Sequence, residues 1–217
     1  MKNKQLYWKF KRTTDCFFAT LLIVILSPLM ILIAILIKLT SKGPILYKSR
    51  RVKQGFNHFD CYKFRTMHHN ADDRLKRLLL KDLELKAEWN QYQKLKKDPR
   101  VTPLGRFLRK SSLDELPQFF NVLKGDMSLV GPRPYAIFGQ KHEYKHELYS
   151  LYGEEIEAIL SVKPGLTGLW QVSGRNLLPI TERVRLDLKY VELQSLELDL
   201  RLIIKTIPEV LFSKGAF

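Results

Sequence analysis

The chain has 217 residues, 45% of them hydrophobic, and a formal charge of +15. That allows one or two domains and favours an anionic partner: nucleic acid, an acidic membrane surface or phosphorylated substrates. Its two cysteines, Cys16 and Cys61, make neither a disulfide framework nor a spaced zinc pattern, which excludes the small disulfide-stapled classes and fits a reducing compartment.

Residues 17–37, FFATLLIVILSPLMILIAILI, carry no charge and are long enough to cross a bilayer. No small-residue cleavage site follows them, so a cleavable signal is not expected. Two features argue against a simple crossing. Ser27-Pro28 sits in the middle, where proline removes a backbone hydrogen bond and kinks a helix. Basic residues also flank both ends, with Lys9, Lys11 and Arg12 before and Lys38, Lys42, Lys48, Arg50 and Arg51 after; positive flanks prefer the cytoplasmic side, and a spanning helix cannot place both there. A re-entrant helix that breaks at Ser27-Pro28 satisfies both flanks, with the serine hydroxyl or packed protein meeting the freed backbone groups. A kinked, spanning anchor is the alternative.

Residues 44–67 hold two short runs rich in aromatic and β-branched residues, separated by KQGFN. They predict a β-hairpin, with Gly55 and Asn57 supplying the turn. Its cations (Lys48, Arg50, Arg51, Lys53, Lys63, Arg65) form either a solvated face or a contact for headgroups and phosphates. Residues 72–97 place leucines at 75, 78, 79 and 83 among charges, which predicts one amphipathic, core-facing helix with Asn70 or Asp72 as N-cap. In residues 163–175, KPGLTGLWQVSGR, Gly165, Gly168 and Gly174 suggest a loop that lets backbone approach a ligand. Two helices are expected at 181–193 and 196–212. The second carries Leu200, Ile203, Ile204, Ile207 and Leu211 on one side, to pack in the core or to lie in a membrane interface.

His142-Glu143-Tyr144-Lys145-His146 matches the HExxH pattern of zinc peptidases, since histidines at i and i+4 share a helix face. Polar flanks (Gln140, Lys141, Lys145, Glu147) and the lack of a third ligand about twenty residues on weigh against it. It stands as the alternative function, a membrane-bound zinc peptidase; a non-enzymatic basic membrane adaptor is a further one.

The remaining motif is residues 110–134, KSSLDELPQFFNVLKGDMSLVGPRP, with adjacent carboxylates Asp114 and Glu115 between Arg109, Lys110 and Arg133. Ser112-x-x-Glu115 reads as a capping box, the serine capping a helix and the glutamate reaching back. The same placement suits chemistry. Cations around a helix start lower a carboxylate's pKa and attract phosphate, and an ionised aspartate can be a nucleophile. Asp126 is left as structural or a second metal contact.

This stretch, together with CYKFRTM (61–67), DPRVTPLGRFLRK (98–110) and KPGLTGLWQVSGR, resembles the bacterial sugar transferases, the monotopic polyprenyl-phosphate phosphoglycosyl transferases. The resemblance runs over nearly the whole chain, from Arg12 to the end. It implies a membrane helix that breaks at Ser27 and Pro28. It also implies that Asp114 is a nucleophile loaded covalently with phosphosugar, that Glu115 positions the metal or assists proton handling, and that Mg2+ binds at the dyad through Asp114. By the same resemblance Arg109, Arg133 and Lys63 hold the diphosphate, and Gly165, Gly168, Gln171 and Arg175 are candidates for the uridine and sugar. The implied reaction moves hexose 1-phosphate from a UDP-sugar to undecaprenyl phosphate with release of UMP, with UDP-galactose or UDP-glucose favoured. That would start exopolysaccharide, capsule or O-antigen synthesis.

Two departures stand out. Ser49 occupies a position where many members have glutamine, and the chain begins almost directly at the membrane segment, where larger relatives carry a transmembrane bundle and an extra domain. The expected architecture is α+β and mostly α: a re-entrant helix-break-helix (1–42), then a catalytic domain (43–217) with a small β-hairpin and amphipathic interfacial helices. Expected partners are UDP-hexose, undecaprenyl phosphate and membrane lipids, with a homodimer left open and no nucleic acid, on the cytoplasmic face of a bacterial inner membrane.

Overall fold

Pro28 has no amide to donate to the Val24 carbonyl four residues back. In the computed structural model, which describes residues 2–92, 95, 97–136 and 144–211, the neighbouring Ser27 hydroxyl donates to that carbonyl instead, at 2.8 Å. With the acceptor satisfied, the helix α1 (Lys2–Thr40) continues without interruption through Pro28, so the expected break into two helices is absent. Residues Tyr7–Thr40 are apolar and long enough to cross a membrane. Most of the surface is bare: Val24, Ile25 and Ile31 are each at least 60% exposed.

Both ends of α1 nevertheless dock on one folded unit. Near its start Lys11 pairs with Asp199 at 2.6 Å, and Asp15 accepts from the Ser128 hydroxyl and the Leu129 amide. Arg12 donates to the carbonyls of Val122 and Leu123. Beyond Pro28, Ile33 and Ile37 are buried with Phe64 and Leu108, and Arg65 donates to the Ser41 carbonyl and hydroxyl.

The expected hairpin is present, with β1 (Leu46–Lys53) antiparallel to β2 (Asn57–Phe64). Gly55 adopts φ +70° in the turn, and the Asn57 amide donates back to the Gln54 carbonyl. The single helix expected at 72–97 is two, α2 (Ala71–Lys81) and α3 (Leu83–Tyr92). Asp82 is extended between them (φ −129°), and its carboxylate accepts from the Leu85 amide. Aspartate competes well for such local caps. Asn70 stands at the start of α2 without a side-chain cap, and α2 buries no residue, so it is not core-facing.

Next come α4 (Pro103–Lys110), a 3-10 turn at Leu113–Glu115, α5 (Gln118–Lys124) and β3 (Ser128–Val130). Helices α6 (Tyr144–Tyr152) and α7 (Glu155–Ile159) lead to β4 (Gly165–Thr167), which pairs in parallel with β3. Helices α8 (Ile180–Leu193) and α9 (Leu196–Leu211) close the described chain. The result is a mostly helical α+β fold with two small two-stranded sheets and one long apolar helix. Its main core gathers Phe59, Cys61, Phe119, Val122, Met127, Tyr190 and Leu202 against Ala19 of α1. α9 splits its faces: Leu202 is buried, whereas Leu200, Ile204 and Ile207 are more than half exposed, an apolar stripe of the kind that suits a membrane interface.

Candidate active site

Asp114 and Glu115 ride on the 3-10 turn between α4 and α5, and each flank of that turn is pinned. Thr102 caps α4, its hydroxyl accepting from the Gly105 amide at 2.9 Å with Pro103 behind it. Gly105 lies against the Thr66 backbone so closely that a Cβ would meet the carbonyl oxygen at 2.0 Å. Leu113 and Leu116 anchor the turn against the Ile33–Ile37–Phe64–Leu108 cluster, and so against α1 itself. On the other side Asn121, fully buried, clamps β2 by donating to the Asp60 carbonyl and accepting from the Tyr62 amide. That clamp sets the position of Lys63.

The expected capping box does not form. Ser112 is left-handed (φ +57°) with no side-chain cap; its carbonyl accepts from the Glu115 amide, and its own amide donates to the Arg109 carbonyl at 3.2 Å. The Glu115 carboxylate turns instead to two cations, taking Lys63 at 2.6 Å and Arg133 at 2.7 and 3.3 Å. Burial would push its pKa up, but Arg133 and Lys63 outweigh that and hold the carboxyl well below its usual range.

Asp114 is treated differently. It is 7% exposed, accepts no hydrogen bond from any described residue, and has its nearest cation, Lys63, at 3.9 Å. Burial pushes its pKa up to about 6; the Glu115 charge adds to the rise, while Lys63, Arg109 and Arg133 oppose it. Arg109 is held near by the Thr66 hydroxyl, to which its Nε donates at 2.9 Å. Two adjacent carboxylates thus occupy different electrostatic states: one neutralised by bonds, the other enclosed and uncommitted.

Lys63, Arg109 and Arg133 therefore do gather at the dyad. Gly165 and Gly168 also have a packing reason to be glycine. A Cβ on Gly165 would strike the Gly131 amide nitrogen at 2.0 Å, and one on Gly168 the Gly131 carbonyl oxygen at 2.2 Å. Both let the two backbones pack closely at the β3–β4 pair. Gln171 and Arg175 stay close to the centre: Arg175 donates to the Gln171 carbonyl and feels the charges of Arg133 and Glu115. Gln171 is buried with both ends of its amide unpaired among the described residues. Asp126 pairs with Lys53 at 2.5 Å, and Ser49 accepts from Arg51 at 3.0 Å.

Two site arginines escaped the sequence reading. Arg51 lies half-buried on β1, where desolvation and the neighbouring Arg133 lower its pKa, and donates to the Pro134 carbonyl. Arg183 donates to the Arg133 carbonyl at 2.9 Å and stacks over Tyr135 and Trp170 at 4.2 and 4.8 Å. Together they brace the loop that presents Arg133. Arg51 was visible in the sequence only as one cation among several on a hairpin, and Arg183 carried no signal at all.

His142 and Glu143 of the HExxH match lie outside the described residues. Among the described residues no three His, Cys, Asp or Glu side chains are placed to share a metal, and the zinc peptidase alternative finds no support.

A carboxylate dyad ringed by cations, braced against a long apolar helix, is an arrangement that suits an anionic ligand beside a membrane. The bacterial sugar transferase family model matches residues 6–213, and the chain belongs to that family. It is 47% identical over 208 residues to the undecaprenyl-phosphate galactose phosphotransferase of Salmonella typhimurium, covering 95% of this chain and 41% of that protein. It is 44% identical to the exopolysaccharide production protein ExoY of Sinorhizobium fredii, covering 95% and 88%, and 40% identical to the undecaprenyl-phosphate glucose phosphotransferase of Komagataeibacter xylinus, covering 95% and 37%. The chain thus spans less than half the length of two of these relatives and most of the third.

Proposed function

We propose that the chain transfers a hexose 1-phosphate, galactose or glucose, from a UDP-sugar to undecaprenyl phosphate and releases UMP, as the first membrane step of an exopolysaccharide, capsule or O-antigen. The observation that carries this reading is Asp114: enclosed, with its pKa pushed up to about 6, accepting no hydrogen bond from a described residue, and within the field of Lys63, Arg109 and Arg133. An Asp114 oxygen attacks the sugar-bearing phosphorus of the UDP-hexose, and the bond from that phosphorus to the oxygen shared with the α-phosphate breaks. UMP leaves with the electron pair. A phosphate oxygen of undecaprenyl phosphate then attacks the same phosphorus, the acyl phosphate bond breaks, and Asp114 is restored as a carboxylate. Splitting the transfer this way lets one site serve a soluble donor and a lipid acceptor in turn.

Attack by an anion on a diphosphate needs its charge offset. Arg133, Lys63 and Arg109 supply fixed positive charge, and Glu115 keeps Lys63 and Arg133 in register. Mg2+ takes one or two carboxylates and completes its shell with water and substrate phosphates. An enclosed carboxylate that accepts no hydrogen bond from a described residue, beside one fully engaged with cations, fits that habit, so Asp114 would hold the ion with Glu115 adjacent. When bound, Mg2+ supplies further neutralisation of the diphosphate.

The docking of both ends of α1 on one domain supports a membrane segment that dips in and returns on the cytoplasmic face by bending at Pro28 without ending the helix, with residues 1–42 as the membrane unit and 43–217 as the catalytic one. The test is intact-mass spectrometry of purified protein given UDP-galactose or UDP-glucose with Mg2+ and no lipid. One phosphohexose should be added and then lost when undecaprenyl phosphate follows; the addition should be missing in Asp114→Asn. Full turnover by Asp114→Ala overturns the reading.

A further inference from the structure

Away from the dyad, Arg74, Arg77, Leu78 and Lys81 of α2 face Pro99 and Arg100 across a recess of about 340 Å³. Spacings of three, four and seven residues put the α2 members on one helical face. The charge of Arg100 is already met by Asp98, through contacts of 2.6 to 3.0 Å, and its guanidinium stacks on Trp89 at 5.1 Å. Arg74, Arg77 and Lys81 have no carboxylate within 4.0 Å among the described residues; Arg77 donates only to the Asp73 carbonyl. Three uncompensated cations around one open volume repel each other and attract an anion.

Leu78 and Pro99 contribute apolar lining between the cations, which suits an amphiphile better than a bare ion. Leu80 and Leu83, at the end of α2 and the start of α3, are 83% and 81% exposed with no protein cover. A helix with bare leucines and a cationic face is the composition of an interfacial helix. The recess is also tied to the membrane segment. Arg65 grips Ser41 just after α1 ends, and His68, three residues on, donates its amide to the Arg100 carbonyl at 3.0 Å. Three residues span about 10 Å at most, within reach of the headgroup layer.

We propose that this recess binds the phosphate headgroup of an anionic membrane lipid, with Arg74, Arg77 and Lys81 on the phosphate and Leu80 and Leu83 in the acyl boundary. The recess lining includes no residue of the dyad or of the cations around it, and the proposal does not depend on the reaction proposed above. Native mass spectrometry of the full chain in neutral detergent, with dihexanoyl-phosphatidylglycerol, dihexanoyl-phosphatidylcholine or inorganic phosphate as probes, tests it. Phosphatidylglycerol should bind at least about tenfold more tightly than phosphatidylcholine, and R74Q/R77Q/K81Q should lose at least about tenfold of that affinity. L80S/L83S should weaken phosphatidylglycerol and leave inorganic phosphate unchanged. Because α2 buries no residue, the triple variant should keep its far-ultraviolet helical signal. If that signal falls, R77Q/K81Q, which changes two exposed side chains, carries the same expectation at a smaller fold-change. Unchanged phosphatidylglycerol binding in the folded variant overturns the site. Inorganic phosphate binding as tightly as the lipid overturns the choice of ligand.

Discussion

Asp114→Asn should make the protein more stable while abolishing its covalent loading. Asp114 is 7% exposed, and its pKa rises from the ordinary 3.8 to about 6, chiefly through burial. A rise of roughly two pH units, at about 1.36 kcal/mol each, means that the charged form costs the fold about 3 kcal/mol at neutral pH. The sign follows from proton binding: between pH 3.8 and 6 the folded state holds a proton that the unfolded state has released, so stability falls as pH rises through that window. Asparagine has the same shape and no charge to desolvate, but it leaves an amide to satisfy, so a gain of about 1 to 3 kcal/mol is expected at pH 7. Thermal or denaturant unfolding followed by tryptophan fluorescence at pH 7 and pH 4.5 reads it. The variant should exceed wild type at pH 7 and approach it in acid. A variant no more stable than wild type at pH 7 would refute the claim that Asp114 is an enclosed and uncompensated charge.

Loading should depend on pH through the same group: its rate should fall about tenfold per pH unit below 6 and level off above 7, and a flat rate from pH 5 to 8 would remove Asp114 as the attacking group. Glu115→Gln should act in the opposite sense to Asp114→Asn, costing about 3 kcal/mol at pH 7 because Lys63 and Arg133 lose their shared partner. Burial raises the Glu115 pKa but Arg133 and Lys63 more than reverse it, so its contribution is present above the ordinary 4.5 and is lost in acid. The stability deficit of the Gln variant, measured by the same unfolding curves, should therefore shrink as pH falls below that value. Single cysteines placed at Lys9 and Lys42 in a chain with Cys16 and Cys61 replaced should label with impermeant maleimide from the same face of sealed inverted vesicles; labelling from opposite faces would establish a spanning helix.

Much of the site was legible because its chemistry is local. Asp114-Glu115 are adjacent, Arg109 stands five residues before Asp114 and Arg133 closes the same stretch, so charge patterning suggested a place where anions meet, beside a capping-box reading that the family resemblance outweighed. The hairpin was equally readable, because Gly55 supplies the positive φ that its turn requires. Where prediction missed, two local explanations competed and distance in the chain hid the arbiter. Ser112-x-x-Glu115 has the letters of a capping box, yet Lys63 and Arg133 claim the glutamate because ion pairs in a buried site outweigh one backbone cap. The leucine spacing across residues 75–83 promised one helix, and Asp82 broke it by capping the second.

The sequence by itself determined that an apolar segment, a cation-ringed acidic pair and a Gly55 turn would be present, since charge, hydropathy and backbone permissiveness act over a few neighbouring residues. Only the tertiary structure decided which carboxylate is neutralised and which is left uncommitted. It also decided that Gly165 and Gly168 serve backbone packing against Gly131, and that Arg51 and Arg183 brace the Arg133 loop. Desolvation and ion pairing depend on what surrounds a group from every side, and at Asp114 those surroundings come from β2, α4 and the loop after β3, segments far apart in the chain.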